Sequence, residues 1–198
     1  MKEMLIRRQS LEEMNEIYHS MLTRHFPADE VKPFGRIKQG YEQGEYVGYG
    51  LYESEETKAC LAYAWMGRIP SENWFLLDYY AVAEELRGKG LGSRFLRKIL
   101  DNHTQGASVI IEVEDPDAVR TVSGVDMESE KKKRLRRIEF YLRNGAQETQ
   151  LRSKVFQVNY SIMVYLNRAA SFDRESLERA YHYFYNHVPD NICIWQKV

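Results

Sequence analysis

At 198 residues the chain has the length of one ordinary domain, enough to bury a substantial core. Its hydrophobic content of 43% and charged content of 29% are typical of a soluble globular protein, and no apolar run approaches the ~18 residues of a membrane-spanning helix. The net charge of −1 gives no overall attraction to nucleic acid or to an anionic membrane.

The first half of the chain alternates strand and helix patterns. A short strand is predicted around Ile6, and a helix follows it at Ser10–Glu13, which has the spacing of a capping box. A shorter helix is predicted over 34–41. Residues 45–52 alternate as a strand does and return as a second strand over 58–66, which predicts a hairpin.

The second half continues with larger elements. Apolar strands are predicted over 74–82, 108–114 and 155–166, and amphipathic helices over 91–100 and 173–188. One more helix, between the second and third of these strands, ends where an Asn-Gly pair gives a C-terminal stop. Strands and helices are therefore mixed along the whole chain.

The most informative stretch lies between the strand over 74–82 and the helix after it. It consists of Arg87, Gly88, Lys89, Gly90, Leu91, Gly92 and Ser93. Glycines that enter a helix leave backbone N–H groups uncovered at the positive end of the helix dipole, where a phosphate binds favourably. The spacing excludes a Walker loop, and Ser93 stands where the dinucleotide fingerprint needs its last glycine.

The remaining pattern, R-x-x-G-x-G at Arg87, Gly90 and Gly92, resembles the acyl-coenzyme A pyrophosphate loop of the GNAT superfamily of N-acetyltransferases. A second motif, over residues 137–146, resembles the later helix of that family, which ends F-Y-x-x-x-G before a strand. In the family the tyrosine of this motif points at the sulfur of the cofactor, and Tyr141 is the matching residue.

The resemblance implies a fold, a donor and a reaction. The fold class is α/β (α+β), the GNAT fold, with a mixed, mostly antiparallel central sheet flanked by helices and here a C-terminal helical extension. Residues 1–198 would form a single acetyltransferase domain, with a core over about 1–166 and the extension over about 167–198. The cosubstrate would be acetyl-CoA, and a primary amine would attack its thioester directly while both are bound.

The same resemblance assigns roles to residues. Backbone amides within 87–93 would hold the pyrophosphate of the donor. The main chain of Ala81, Val82 and Ala83 would meet the pantetheine arm and polarise the thioester carbonyl. Tyr141 would protonate the leaving thiolate, which a phenol of ordinary pKa near 10 does only with local help.

An amine also has to lose a proton before it attacks, because an amine with a pKa near 10 is mostly protonated at pH 7. Glu112 and Glu114 lie two apart on the strand over 108–114, so both project from one face, and either is a candidate general base. Asp78, on the strand over 74–82, is a candidate contact for the substrate. The alternative for all three carboxylates is pairing with lysine or arginine, or a place on a solvated face.

Six of the seven residues over 131–137 are lysine or arginine. We favour a solvated helix face with Glu128 and Glu130 as local counter-charges; a contact to the 3′-phosphate of coenzyme A and a nucleic-acid or partner patch are the alternatives. Because the whole chain is nearly neutral, no nucleic-acid partner is expected. Within this run, Arg134 and Arg137 stand where family members often have asparagine and alanine.

The remaining features predict location and partners. Cys60 and Cys193 are expected to be free thiols in a reducing cytoplasm, and Met1–Met4 lacks the long apolar core of a signal peptide. The five histidines do not cluster with acids at metal-ligand spacing, so no metal is predicted. The partner would be a small-molecule or peptide amine, without a membrane, and the resemblance also permits a homodimer.

Two other functions are compatible with these motifs. An enzyme of the same fold could transfer a longer acyl group. A non-catalytic module could keep the phosphate loop and bind acyl-CoA, or bind a partner through the basic helix. Tyr141 and the three carboxylates favour an enzyme.

Overall fold

The structure is a computed structural model that describes residues 4–28, 30–118, 126–155, 158–167, 170–185 and 192–196. Its strands are β1 (Leu5–Arg8), β2 (Tyr46–Tyr52), β3 (Ala62–Ile69), β4 (Trp74–Val82), β5 (Ser108–Glu114), β6 (Gln147–Val155), β7 (Val158–Tyr165) and β8 (Ile192–Gln196). Its α-helices are α1 (Leu11–Ile17), α2 (Thr23–His25), α3 (Phe34–Glu42), α4 (Leu91–Asn102), α5 (Met127–Arg143) and α6 (Arg174–Phe184). A π-helical turn, Tyr18–Leu22, joins α1 to α2.

The chain forms two compact units. The first comprises Met1–Pro70 and Phe75–Gln105, and the second comprises Ser71–Trp74 and Gly106–Val198. In the first unit the strands lie in the order β1-β2-β3-β4, and β2 is antiparallel to both β1 and β3. In the second unit the order is β5-β7-β6-β8, with antiparallel pairing throughout.

The predicted start of the first helix is confirmed. The Glu13 amide donates to Ser10 Oγ at 3.2 Å, and the Ser10 amide donates to Glu13 Oε2 at 2.9 Å, which completes a capping box. The Glu13 carboxylate also forms an ion pair with Arg7 on β1. The hydrogen bond from Arg7, together with the Ser10 contacts, lowers the pKa of Glu13 below its ordinary value.

A buried glutamine organises the polar part of the first unit's core. The side-chain oxygen of Gln9 accepts from Trp65 Nε1 at 2.8 Å, and its amide nitrogen donates to the Tyr52 hydroxyl at 3.0 Å. The glutamine side chain lies directly against β2, where a Cβ on Gly50 would come within 2.5 Å of Gln9 Nε2. Glycine at this position therefore makes room for a hydrogen-bond network that satisfies buried polar groups.

The C-terminal extension belongs to the second unit. It contains the predicted helix, α6, whose Ser176 hydroxyl accepts from Trp74 Nε1 at 2.9 Å. Arg179 of the same helix donates to Glu72 at 2.8 Å. The helix ends at Phe184 rather than 188, and residues 186–190 lie outside the described part of the chain. The strand β8, which pairs with β6, was not anticipated from the sequence.

The predicted fold class is confirmed: the chain is an α/β protein whose eight described strands pair mostly in the antiparallel sense and are flanked by helices. The hairpin is present as β2 and β3, with Leu51 opposite Ala62. Within the described ranges, no helix combines the length and the apolar character needed to cross a membrane.

Gly50→Ala is expected to lower the free energy of unfolding by about 2 kcal/mol, because the added methyl group overpacks Gln9 and Tyr52. Gly35→Ala in α3 is the control: no atom lies within 4 Å of the added Cβ, and alanine favours a helix by up to about 1 kcal/mol. Urea denaturation of both variants measures the difference. Equal stability of the two would contradict the assigned role of Gly50.

Candidate functional site

The glycine-rich loop lies in the first unit, between β4 and α4. Gly88 and Gly90 have φ angles of +76° and +74°, a left-handed conformation that a side chain would strain. Gly90 is the N-cap of α4, and no side-chain hydrogen bond caps this end of the helix. The first turn of α4 therefore presents main-chain N–H groups at the positive end of a helix of 12 residues, as the sequence predicted.

A tyrosine that the sequence did not single out holds this loop in place. The Tyr80 hydroxyl donates to the Gly92 carbonyl at 2.6 Å, and the Tyr80 ring stacks on Phe95 with centroids 5.8 Å apart. Phe95 is buried, as is Leu91 at the start of the helix. Strand β4 thus fixes the first turn of α4. Because the Leu91 side chain is buried, this residue can contact a ligand only through its main chain.

Part of the main chain between β4 and the loop already forms hydrogen bonds within the protein. Arg87 Nε donates to the Val82 carbonyl at 3.1 Å, and Arg87 is also paired with Glu84 at 3.4 Å. The Ala83 amide donates to the Leu61 carbonyl at 2.9 Å. Of the main-chain donors predicted over 81–83, the one on Ala83 therefore has an internal acceptor.

Asp78 of β4 is held in a buried polar cluster. Its Oδ1 accepts from Lys32 Nζ, and its Oδ2 accepts from the Tyr46 hydroxyl at 2.6 Å. Burial and the Asp78 charge raise the pKa of Tyr46 well above its ordinary value, so this phenol remains a donor. Asp78 thereby attaches the segment before α3 to β4, and its predicted contact with substrate stays a prediction.

A cavity of about 490 Å³ opens in the first unit and was not predicted. Its wall includes Glu16, Arg24, His25, Cys60, Ala83 and Glu85. Burial raises the pKa of the Cys60 thiol to about 11, so this thiol is protonated at neutral pH and is a poor nucleophile. Burial, followed by Arg87, lowers the pKa of His25, so this imidazole is neutral at pH 7.

Glu112 and Glu114 lie on β5 in the second unit. Each oxygen of the Glu112 carboxylate accepts from a tyrosine of the C-terminal helix α6: Tyr181 on Oε1, and Tyr185 on Oε2 at 2.6 Å. The Tyr181 oxygen also lies 2.7 Å from Ser153 Oγ. Burial, and then the Glu112 charge, raise the pKa of Tyr181 well above its ordinary value. The Tyr181 phenol therefore remains a donor, and Glu112 holds α6 on the strand.

Glu114 has arginine partners from α5. Its Oε2 accepts from Arg137 Nη1, and its Oε1 lies 3.3 Å from Arg134 Nη2. Arg134 also donates to the Asp115 carbonyl at 2.8 Å. These two arginines are the residues that depart from the family pattern, and the buried Glu114 explains why arginine is present at both. Glu114 is thus paired with arginine, which is the alternative that the sequence left open for this carboxylate. Its role as general base stays a prediction.

Tyr141 lies on α5, half-buried, one turn after Arg137. Burial raises the pKa of its phenol to about 12, although the charge of Arg137 acts in the opposite direction. Among the residues that the structure describes, none forms a hydrogen bond with this hydroxyl. Asn144 ends the helix and Gly145 follows with a φ of +96°, as the motif predicted. The phenol is therefore protonated and available to a ligand.

The basic run on α5 is paired with nearby acids. Lys131 lies 3.0 Å from Asp117, Lys133 lies 3.2 Å from Glu130, and Lys132 lies 3.9 Å from Glu128. For the lysines, this arrangement agrees with the predicted solvated helix face with local counter-charges. Arg134 and Arg137 instead face β5. In the ranges described, no group of three His, Cys, Asp or Glu residues is arranged to hold a metal ion.

The chain matches the family model for the acetyltransferase (GNAT) family over residues 6–120. This range includes the glycine-rich loop and both candidate carboxylates of β5, and it ends before Tyr141. A search of curated protein sequences finds no match.

Solved structures share the fold at low sequence identity. A protein from Bacteroides thetaiotaomicron, named as an acetyltransferase of the GNAT family, has a TM-score of 0.66 at 18% identity and covers 93% of this chain and 99% of its own. The ribosomal-protein-S18-alanine N-acetyltransferase from Escherichia coli has a TM-score of 0.59 at 17% identity, covering 87% and 98%. Spermidine N-acetyltransferase from Vibrio cholerae, in complex with CoA and spermine, has a TM-score of 0.57 at 12% identity, covering 84% and 97%.

Glu114→Gln is expected to destabilise the protein by about 3 kcal/mol, because it removes the carboxylate that pairs with Arg137 and with the largely buried Arg134. Arg134 then keeps the longer contact to Glu130 at 3.7 Å. Glu128→Gln is the matched control on α5: this pair is exposed, and its loss should cost less than about 1 kcal/mol. Urea unfolding followed by circular dichroism compares them. A Glu114 variant as stable as the control would mean that the ion pair does not hold α5 in place.

Proposed function

The chain belongs to the GNAT family of acetyltransferases, and from this premise we propose that it transfers an acetyl group from acetyl-CoA to a primary amine. The observation that carries the proposal is the glycine-rich loop. Its left-handed glycines and the first turn of α4 expose main-chain N–H groups, and Tyr80 fixes their direction. The assignment of residues 1–198 to one acetyltransferase domain stays a prediction.

The donor would bind through its pyrophosphate. Amides of residues 88–93 would donate to it at the N-terminus of α4, where charge and dipole both favour an anion. A Cβ on either Gly88 or Gly90 would meet no atom of the described residues within 4 Å, apart from its own chain neighbours. A ligand can therefore approach the backbone closely at these two glycines.

Tyr141 would donate its phenolic hydrogen to the leaving sulfur. Full transfer from a phenol of pKa about 12 to a thiolate whose acid has a pKa near 8.5 is uphill by about 5 kcal/mol. The burial that raises the pKa of the phenol would raise that of the thiol as well, which narrows this gap. We therefore assign Tyr141 a hydrogen bond to the developing thiolate, with proton transfer completed as the carbon–sulfur bond breaks.

The predicted proton acceptors support the proposal less directly. Glu112 is engaged by two tyrosines and Glu114 by two arginines, so neither has a carboxylate oxygen without a donor. Asp78 is engaged in the same way by Lys32 and Tyr46. We leave the general base unassigned between Glu112 and Glu114.

The acceptor class is narrowed by the reaction and by the structural neighbours. The names of two of those neighbours specify an amine, the alanine of a ribosomal protein in one case and spermidine in the other. These two amines define which acceptors to test. We propose a primary amine, on a small molecule or a peptide.

The test is a thiol-release assay with acetyl-CoA and four acceptors: spermidine, an aminoglycoside, lysine, and a peptide with N-terminal alanine. Release that depends on one of these amines supports the proposal. Faster release from propionyl- or succinyl-CoA would identify a longer acyl donor. Tight binding of acetyl-CoA without release for any amine would instead favour a non-catalytic binding module.

Tyr141→Phe is expected to lower kcat roughly 100-fold while the Kd for acetyl-CoA changes less than about twofold, because the phenol acts on the leaving group rather than on the bound donor. Tyr183→Phe on the exposed face of α6 is the control and should leave both quantities unchanged. Steady-state kinetics and calorimetric titration with acetyl-CoA measure them. Unchanged turnover in the Tyr141 variant would remove this residue from the mechanism.

A further inference from the structure

The cavity in the first unit adjoins the segment that leads into the glycine-rich loop. Its wall includes Ala83, Glu84 and Glu85, which lie two to four positions before Arg87 along the chain. At about 490 Å³ it lies within the roughly 300–1,000 Å³ of small-molecule sites. The cavity therefore has room for an acceptor next to the main chain where the donor's thioester is expected.

One side chain in this wall has an unusual combination of properties. His25, at the end of α2, places its Nδ1 3.1 Å from the Tyr63 hydroxyl, and the two rings are stacked with an interplanar angle of 8°. Tyr63 is fully buried, and His25 is the hydrogen-bond partner that the structure shows for its hydroxyl. The contact uses Nδ1 of the imidazole, so Nε2 is the ring nitrogen that it leaves unused.

The charge state of the imidazole is also defined. Burial is the largest cause that lowers the pKa of His25, followed by Arg87, so the ring is neutral at pH 7. The charged and titratable groups around it come from each neighbouring segment: Glu16 and Arg24 from the helical side, Lys58, Cys60 and Tyr63 from β3 and the turn before it, and Glu84, Glu85 and Arg87 from the turn before α4.

His25 combines a place in the cavity wall with a charge state suited to a general base. The glutamates of β5 and Asp78 of β4 are each held by two donors. Cys60 is protonated, with its pKa raised to about 11. A neutral imidazole in the cavity wall, by contrast, can accept a proton near neutral pH.

On this basis, and resting on the proposed acetyl transfer, we propose that the cavity holds the acceptor amine and that His25 Nε2 takes its proton. The ammonium form gives one proton to His25, and the freed lone pair forms the carbon–nitrogen bond as the carbon–sulfur bond breaks. The second proton lost by the attacking nitrogen balances the proton that the leaving thiolate takes up. His25 then releases its proton to water, so the products are the amide, the free thiol and one proton.

Tyr63 acts as a positioning residue in this scheme. When His25 is protonated, Nδ1–H donates to the Tyr63 oxygen, so the same contact supports the charged ring after proton transfer. In the resting state the acid limb of kcat/KM should follow His25: the rate rises as pH increases through a pKa below 6.5 and is then constant. Protonation of the ring below that pKa removes the base.

The experiment compares His25→Gln with His103→Gln, using acetyl-CoA and the four amines of the thiol-release assay. His103 is a matched control because burial lowers its pKa too, but it lies at the end of α4, beside Tyr49 and outside the cavity wall. We expect His25→Gln to lower kcat/KM at pH 7 roughly 100-fold or more and to abolish the acid limb, with the Kd for acetyl-CoA changed less than about twofold. His103→Gln should match the wild type.

Two further measurements separate a chemical role from a structural one. Added imidazole should restore part of the rate to His25→Ala and none to Tyr141→Phe. Tyr63→Phe should keep the acid limb but move its midpoint, since the ring loses its hydrogen bond at Nδ1. Nitrogen chemical shifts of His25 in the wild-type protein, followed against pH, should give the same midpoint as the kinetics.

The outcomes are distinct. If the wild type transfers the acetyl group and His25→Gln keeps the same rate and acid limb, the role of His25 is overturned. The proposed function is then left in place. A selective rise in the Kd for acetyl-CoA in that variant also overturns it, because the cavity would then serve the donor. If the wild type releases no thiol with any amine, the proposed function and the inference both fail.

Discussion

Three carboxylates on β4 and β5 are buried or partly buried, and their need for hydrogen-bond donors determines much of what packs around them. A charged carboxylate out of water is costly unless donors surround it. Asp78 meets this need with Lys32 and Tyr46, Glu112 with two tyrosines of α6, and Glu114 with two arginines of α5. Each of the connected segments is thereby held against its strand by a charge as well as by apolar contacts.

The same requirement separates structural polar groups from those available for chemistry. The strand carboxylates that the sequence offers as candidate bases accept hydrogen bonds from other residues of the fold. The main chain at the start of α4 has no side-chain cap, and the hydroxyl of Tyr141 has no hydrogen bond within the described residues. Uncapped main-chain donors and a phenol without a hydrogen bond are groups that a ligand can satisfy. This favours the loop of the first unit and, separately, the phenol of the second unit over the strand carboxylates as ligand contacts.

The second unit shows why the C-terminal extension and the basic run belong to the fold. Tyr181 and Tyr185 give α6 its hold on β5, and Arg179 and Ser176 attach the same helix to Glu72. On α5, lysines of the basic run face local acids while Arg134 and Arg137 reach Glu114. Residues that look like departures from the family motif are therefore explained by a buried acid on the neighbouring strand.

The sequence by itself determined the features that depend on neighbours along the chain. These features are the capping box at Ser10, the left-handed glycines before α4, the helix stop after Tyr141 and most strand ranges. Each is local, because residues two or three positions apart in the sequence encode it. Only the tertiary structure decided which donors satisfy the acids. Glu112 and Tyr185 are 73 positions apart, and His25 and Tyr63 are 38 apart. Partners at such separations are chosen by how the chain packs, and no periodic pattern in the sequence records that choice.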